Sequence, residues 1–288
     1  MRYIKSIGAA LVALAAWSPP PAAFAAPAVM VTDVRGNASV VKKEKEPPQR
    51  LALLDYLHPG AELQLDSGAR VAVTFLAKPM EIVLNGPATA KIGDGVVSVL
   101  SGQAPQSRRL DAQIASAPGK FSGSARERIT VATFEMKSGA MPKLKLLTPN
   151  DTRVLEVSPS FRWTLPPGAA DAKFTLVAAD GKIIHETRTG ATTLALPKGV
   201  ALSPGGNYAW KVEAGPASVD GKFSVADKAT AKRLGKARPG KTGTFSSQIL
   251  YAALLDGEGF GHDAMTIWQA LAKERPDDQA LQRLAGWR

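Results

Sequence analysis

A chain of 288 residues with 45% apolar side chains and a net charge of +11 carries enough apolar material for real cores, which excludes disorder throughout, and its length suits two or three domains. It holds no cysteine, so disulfides, a cysteine-attached lipid and thiolate metal sites are excluded and stability must come from packing. Its 26 glycines and 21 prolines are many for a helical protein and point to short strands joined by tight turns.

Arg2 and Lys5 precede an apolar run from Ile7 to Trp17, followed by Pro19, Pro20, Pro21 and the small residues Ala23 and Ala25 around Phe24. That order predicts a secretory signal peptide over residues 1–25, with cleavage after Ala25. The run falls short of the ~20 residues that cross a bilayer and prolines break it, which weighs against a retained anchor. The mature chain is therefore expected to be exported, to lack a membrane span and, being free of cysteine, to reside in a bacterial periplasm. Of 36 Lys and Arg, two leave with the signal, so 34 basic residues face 25 acidic ones, a net +9. In an envelope such a charge meets phosphorylated glycolipids, wall polymers or acidic proteins, and nucleic acid is not an expected partner; the competing reading is a dispersed solubility charge.

Residues 29–110 read as short strands at period two. Val29, Val31 and Val34 lead to Gly36-Asn37, then Val40 and Val41, then a charged tip from Lys42 to Glu46. After Asp66-Ser67-Gly68, the residues Val71, Val73 and Phe75 alternate on a buried face while Arg70 and Thr74 point away. Ile82 and Leu84 repeat the pattern, Asn85-Gly86-Pro87 turns the chain, and Val97, Val99 and Leu100 end at Gly102. An all-β roll or sandwich is expected.

These residues resemble the FecR-type periplasmic domain, through Gly36 with Val40, Leu57 to Leu65 with Pro59-Gly60, Ser67-Gly68-Ala69 with Val71 and Val73, and Asn85-Gly86-Pro87 leading to Leu100-Ser101-Gly102. The resemblance covers about a third of the chain. In the regulators that gave the family its name, the domain relays a signal outside the membrane and is joined through a membrane helix to a cytoplasmic part that binds a sigma factor. Here the predicted signal peptide directly precedes the domain, so the resemblance implies an extracytoplasmic interaction role and leaves sigma-factor control out.

Residues 111–142 form a joining segment in which Ile129, Val131 and Phe134 suggest one more strand. Residues 143–225 read as a second β unit of about seven strands. Phe161 and Trp163 share a face, Phe174 and Leu176 follow, and Ala179-Asp180-Gly181 turns into Ile183 and Ile184. Pro204-Gly205-Gly206-Asn207 opens a late hairpin in which Tyr208, Trp210 and Val212 face the core. This unit resembles a bacterial fibronectin type III domain, with Pro159-x-Phe161-x-Trp163 early and Tyr208-x-Trp210-x-Val212 late; the resemblance implies an immunoglobulin-like sandwich, used as spacer and adhesion module alike.

Residues 226–245 are basic: Lys228, Lys232, Arg233, Lys236, Arg238 and Lys241 stand against Asp227 alone. They read either as an anionic-surface contact or as a solvated linker helix. In residues 246–288, Ser246 or Ser247 is expected to cap a helix with Ile249, Leu250, Ala253 and Leu254 on its apolar side, and Gly257, Gly259 and Gly261 to make a turn. A second helix carries Ala264, Ile267, Trp268 and Leu271, and Asp277-Asp278 starts a third with Leu281 and Leu284. Ala264, Trp268, Leu271 and Pro276 resemble the second half of a tetratricopeptide-like repeat; a single repeat is expected to pack on a neighbour. The predicted class is thus mainly β, a FecR-like β roll or sandwich followed by a fibronectin III-like sandwich, with a small C-terminal helical segment.

The sequence offers little for chemistry. His58, His185 and His262 lie in three modules without ligand spacing, so no metal site is expected. No Gly-x-Ser-x-Gly elbow surrounds a serine, Gly93-Asp94-Gly95 and Gly257-x-Gly259-x-Gly261 lack the lysine of a phosphate loop, and Asp263 and Asp277-Asp278 suit helix starts. No catalytic residue and no cofactor are assigned. The expected function is that of an exported, non-enzymatic interaction or signalling-accessory protein that binds an envelope protein partner; the alternative is a module for peptidoglycan or another anionic polysaccharide, and a third reading is an enzyme with an unrecognised site.

Overall fold

The computed structural model describes residues 29–42, 46–75, 78, 80–110, 143–240 and 243–286; the fold is mainly β, and these residues form 18 strands followed by four helices. The signal-like N-terminus, the joining segment, Lys241 and Trp287 lie outside the described residues.

The first unit holds ten strands: β1 Val29–Arg35, β2 Ala38–Val41, β3 Gln49–Arg50, β4 Tyr56–Leu57, β5 Glu62–Leu65, β6 Arg70–Phe75, β7 Met80–Asn85, β8 Ala88–Ile92, β9 Val97–Ser101 and β10 Gln106–Arg109. They form two five-stranded sheets of order β10-β7-β6-β1-β4 and β3-β2-β5-β8-β9. Period-two alternation turns Val29, Val31, Val71, Val73, Phe75, Ile82 and Leu84 of one sheet onto Val40, Leu63, Leu65, Ala90 and Ile92 of the other, giving one apolar core. The predicted tip at Lys42–Glu46 falls between the antiparallel strands β2 and β3; its residues 43–45 lie outside the described part. Gly102 is required by its backbone: φ is +100° and an added Cβ would sit 2.5 Å from the carbonyl oxygen of Pro87.

Arg70 and Thr74 do point away from this core, but Thr74 is buried rather than solvated. It pairs across the strands with Met30, and Met30 belongs to the core of the C-terminal helices, so the outer face of this sheet is covered as well. Thr32 and Thr74 remain tolerable there because their hydroxyls share a hydrogen bond of 3.3 Å and Thr32 reaches the Ala72 carbonyl.

The second unit holds β11 Lys145–Thr148, β12 Thr152–Val154, β13 Ser160–Thr164, β14 Ala172–Ala178, β15 Ile183–Thr189, β16 Thr193–Ala195, β17 Asn207–Ala214 and β18 Ala217–Val225. A sheet of order β11-β13-β16 packs on one of order β12-β18-β17-β14-β15, an immunoglobulin-like sandwich in which β12 runs parallel to β18. Phe161 is the hub of its core, with ring centroids 4.9 Å from Phe174, 5.1 Å from Trp210 and 5.7 Å from Phe223. The stretch before β17 is not a hairpin. Ser203 to Gly206 forms a turn at the entry of β17, since the preceding strand β16 lies in the other sheet; the hairpin partner of β17 is β18, reached through Gly215 at φ +58°.

The helices are α1 Lys228–Ala237, α2 Phe245–Gly257, α3 Gly261–Glu274 and α4 Gln279–Leu284. Asp227 and Asp278 cap α1 and α4, and Pro276 follows the last turn of α3. The cap of α2 is Thr244, whose hydroxyl accepts the Ser247 amide at 3.2 Å; Ser246 and Ser247 are buried one turn inside. The three-glycine turn is shorter than expected, because α2 runs through Gly257 and α3 begins at Gly261, leaving Gly259 at φ +83° between them. Nor is α2 one-sided: Tyr251, Ala252 and Leu255 are buried along with Ile249, Leu250, Ala253 and Leu254. A helix apolar all round needs cover on every side. It finds α3 on one side and, on another, Met30 of β1 with Leu53 and Leu54 of the β3–β4 loop, while Leu234 and Ala237 of α1 enter the same core. Leu54 is held at φ +66° by its amide bond to the Val31 carbonyl and so delivers its side chain to the helices. No helix among the described residues is long and apolar enough to cross a membrane.

Candidate interaction surfaces

The expected anionic-contact residues separate on α1. Lys228, Lys232 and Lys236 recur at every fourth position and are exposed, opposite the buried Leu234 and Ala237. Like charges at that spacing repel, and Lys228 faces the positive end of the helix, so this ridge costs helix stability. Arg233 leaves the ridge to form a two-pronged pair with Glu258, which holds its guanidinium firmly charged. Arg238, exposed, is the C-cap residue, and Lys241 lies outside the described residues.

A second cationic group surrounds Asp33, a carboxylate 2% exposed in the middle of β1. Arg70 of β6 donates to it at 2.6 Å, Arg275 at the end of α3 grips both its oxygens, and Arg35 stands at 3.7 Å. Arg275 is also stacked on Phe245, with 3.3 Å from its guanidinium carbon to the ring centroid. Three guanidiniums from β1, β6 and α3 thus converge on one buried acid, and the first sandwich is tied to the helices through it. A cleft of about 750 Å³ opens beside this cluster, between the β1–β2 and β3–β4 segments and the α3–α4 corner, with Arg35, Arg50, Arg275 and Arg283 in its wall.

The α2–α3 connection grips the second sandwich. Gly259 offers its carbonyl to the Arg153 amide at 2.8 Å and to the Thr152 hydroxyl at 2.9 Å, Asp263 accepts the Leu155 amide at 3.0 Å, and Arg153 lies over Phe260. Burial pushes the Asp263 carboxyl up to about 6, although its bond from Leu155 opposes the shift. His262 meets the Thr148 hydroxyl at 2.6 Å and is held below the ordinary imidazole value, first by burial and then by Arg162. Asp263 stands in the first turn of α3 as expected, and it holds the residue after β12 while His262 holds the end of β11. A smaller cleft of about 380 Å³ lies here, lined by Thr148, Asn150, Arg162, His262 and Gln269 among others.

Tyr208, Trp163, Trp210 and Trp268 are buried, so none is a sugar-binding aromatic. Among the described residues, no three His, Asp or Glu side chains are placed to hold a metal ion. What the sequence left unseen is Asp33 with its arginines. The available signal was an acid between valines in a strand, paired with an arginine that directly precedes Pro276.

The chain is therefore a mainly β protein of two sandwiches joined by a helical block. No family profile matches the sequence, and no curated protein does. Among solved structures it is similar to CopC from Methylosinus trichosporium OB3b, at 17% identity and a TM-score of 0.22 over 30% of this chain and 96% of that one. It is also similar to a β-glucuronidase from Faecalibacterium prausnitzii, at 14% identity and a TM-score of 0.21 over 69% of this chain and 46% of that one. Likenesses of this size carry no argument about function.

Proposed function

We propose that the chain is an exported periplasmic interaction protein that acts by binding an envelope protein through its β modules. The observation that carries this reading is an edge of the first sandwich: among the described residues β9 ends its sheet, Leu100 on it is 59% exposed, and Val96, directly before it, is 54% exposed. An edge strand with exposed apolar side chains is a template for strand addition, which natural proteins otherwise block with charge, proline or a covering element. The signal-like N-terminus and the resemblances to FecR-type and fibronectin type III domains support the same role. A photo-crosslinking residue at Leu100, in cells producing the chain, should trap one recurrent envelope protein. Capture of the same mixture as from an exposed loop position such as Lys198 would overturn the reading.

The lysine ridge favours a second reading, binding of an anionic wall polymer. Replacing Lys228, Lys232 and Lys236 by Gln should abolish cosedimentation with peptidoglycan at low salt without lowering the urea midpoint. Cosedimentation that survives the triple change would remove the ridge as the contact.

A further inference from the structure

We propose that the cleft between the first sandwich and the α3–α4 corner binds carboxylate side chains, and that its occupant is a short acidic segment of a protein partner. One buried acid behind its wall is shared by three guanidiniums, of which Arg35 and Arg275 line the cleft. Asp33 brings one negative charge, and Arg35, Arg70 and Arg275 bring three positive ones. Arg70 and Arg275 already occupy both oxygens of Asp33, which leaves Arg35 at 3.7 Å with half its side chain exposed to the cleft. One carboxylate shared by three guanidiniums leaves positive charge that a further carboxylate relieves, and the planar fork of Arg35 is the matched donor for it.

Two further guanidiniums of the wall have no carboxylate partner among the described residues. Arg50 makes no ion pair among the described residues, and Arg283 contacts the neutral side-chain oxygen of Gln279 at 3.3 Å. The same wall carries three acids: Glu274 and Asp277 are exposed at the α3–α4 corner and form no ion pair among the described residues, and Asp278 is occupied by the Ala280 and Leu281 amides. A wall of both signs repels a long uniform polyanion at its acids. It suits a segment with two or three carboxylates set inward and neutral or basic flanks. The cleft also borders β3, a two-residue strand that ends its sheet among the described residues, a place for an extended peptide to pair. Its volume lies within the ~300–1,000 Å³ range of small-ligand sites, so the segment seated in it is short.

The proposal stands apart from the β9 reading, since a synthetic peptide tests it without the natural partner. Fluorescence anisotropy of a labelled Gly-Glu-Glu-Glu-Gly peptide is measured on the purified chain, with Gly-Lys-Lys-Lys-Gly and inorganic phosphate as competitors. Saturable binding is expected, weakened at least ~10-fold in the double variant Arg50→Gln, Arg283→Gln and by less than about twofold in the Lys228, Lys232, Lys236→Gln variant. Arg275 is left intact because it holds the helices, and an unchanged urea midpoint of the double variant certifies its fold. Three results would overturn the proposal: no saturable binding below ~1 mM, binding lost with the lysines and kept without the two arginines, or displacement by phosphate at the peptide's own concentration.

Discussion

Tyr208 and Trp210 stand two residues apart on β17, face one core, and each has satisfied its polar atom on the backbone. The Tyr208 hydroxyl accepts the Ser203 amide at 2.8 Å, closing the turn five residues back, and the Trp210 indole donates to the Pro149 carbonyl at 2.6 Å. Trp210→Ala should cost about 3–5 kcal/mol in urea unfolding through the cavity and the orphaned carbonyl, and Tyr208→Phe about 1 kcal/mol through the lost hydroxyl. Gly102→Ala should cost more than about 1 kcal/mol, since the new methyl meets the Pro87 carbonyl at a positive φ. A Trp210→Ala chain with an unchanged unfolding midpoint would refute the core assignment. At this scale the sequence was readable wherever side-chain period decides burial, as it does for Phe161, Trp163 and Tyr208. Asp33 was not readable, because its partners arrive from β6 and from Arg275, which is 242 residues away.

Elements were legible in kind and less so in surroundings. α3 and α4 fall where acids and apolar spacing put them, but α2 starts from Thr244 and not from the serines, and its spacing shows one apolar side because nothing local says that a strand and a loop about 200 residues earlier will cover the other. The start of α3 carries a pH signature. Asp263 is easier to protonate in the fold than unfolded, so its contribution is fully present below about 4 and lost as pH rises through about 6. His262, with a lowered folded value, works the other way: its contribution is present above about 6.5 and is lost on acidification. Asp263→Asn should therefore raise the melting temperature at pH 7.5 relative to the parent chain, with the gap closing by about pH 4. A gap that is the same at both pH values would show that the Asp263 charge is not the cause.

For the whole molecule, the two sandwiches could be outlined from turns and alternation, but the second covered face of the β10-β7-β6-β1-β4 sheet could not. Thr74 points away from the core in the sequence pattern, and it and Thr32 are buried only because the helices return to that face. The helical block touches both units at once, holding the first through Asp33, Met30 and Leu54 and the second through Gly259, Asp263 and His262. Arg275→Gln removes one clasp while Arg70 still serves Asp33, so about 2 kcal/mol of coupling should be lost, less than for a fully orphaned buried charge. Differential scanning calorimetry of the intact chain tests most directly whether the helices join both sandwiches into one cooperative body. A single transition with matching calorimetric and van't Hoff enthalpies is expected, splitting into two in the Arg275→Gln variant; two separate transitions in the parent chain would contradict it.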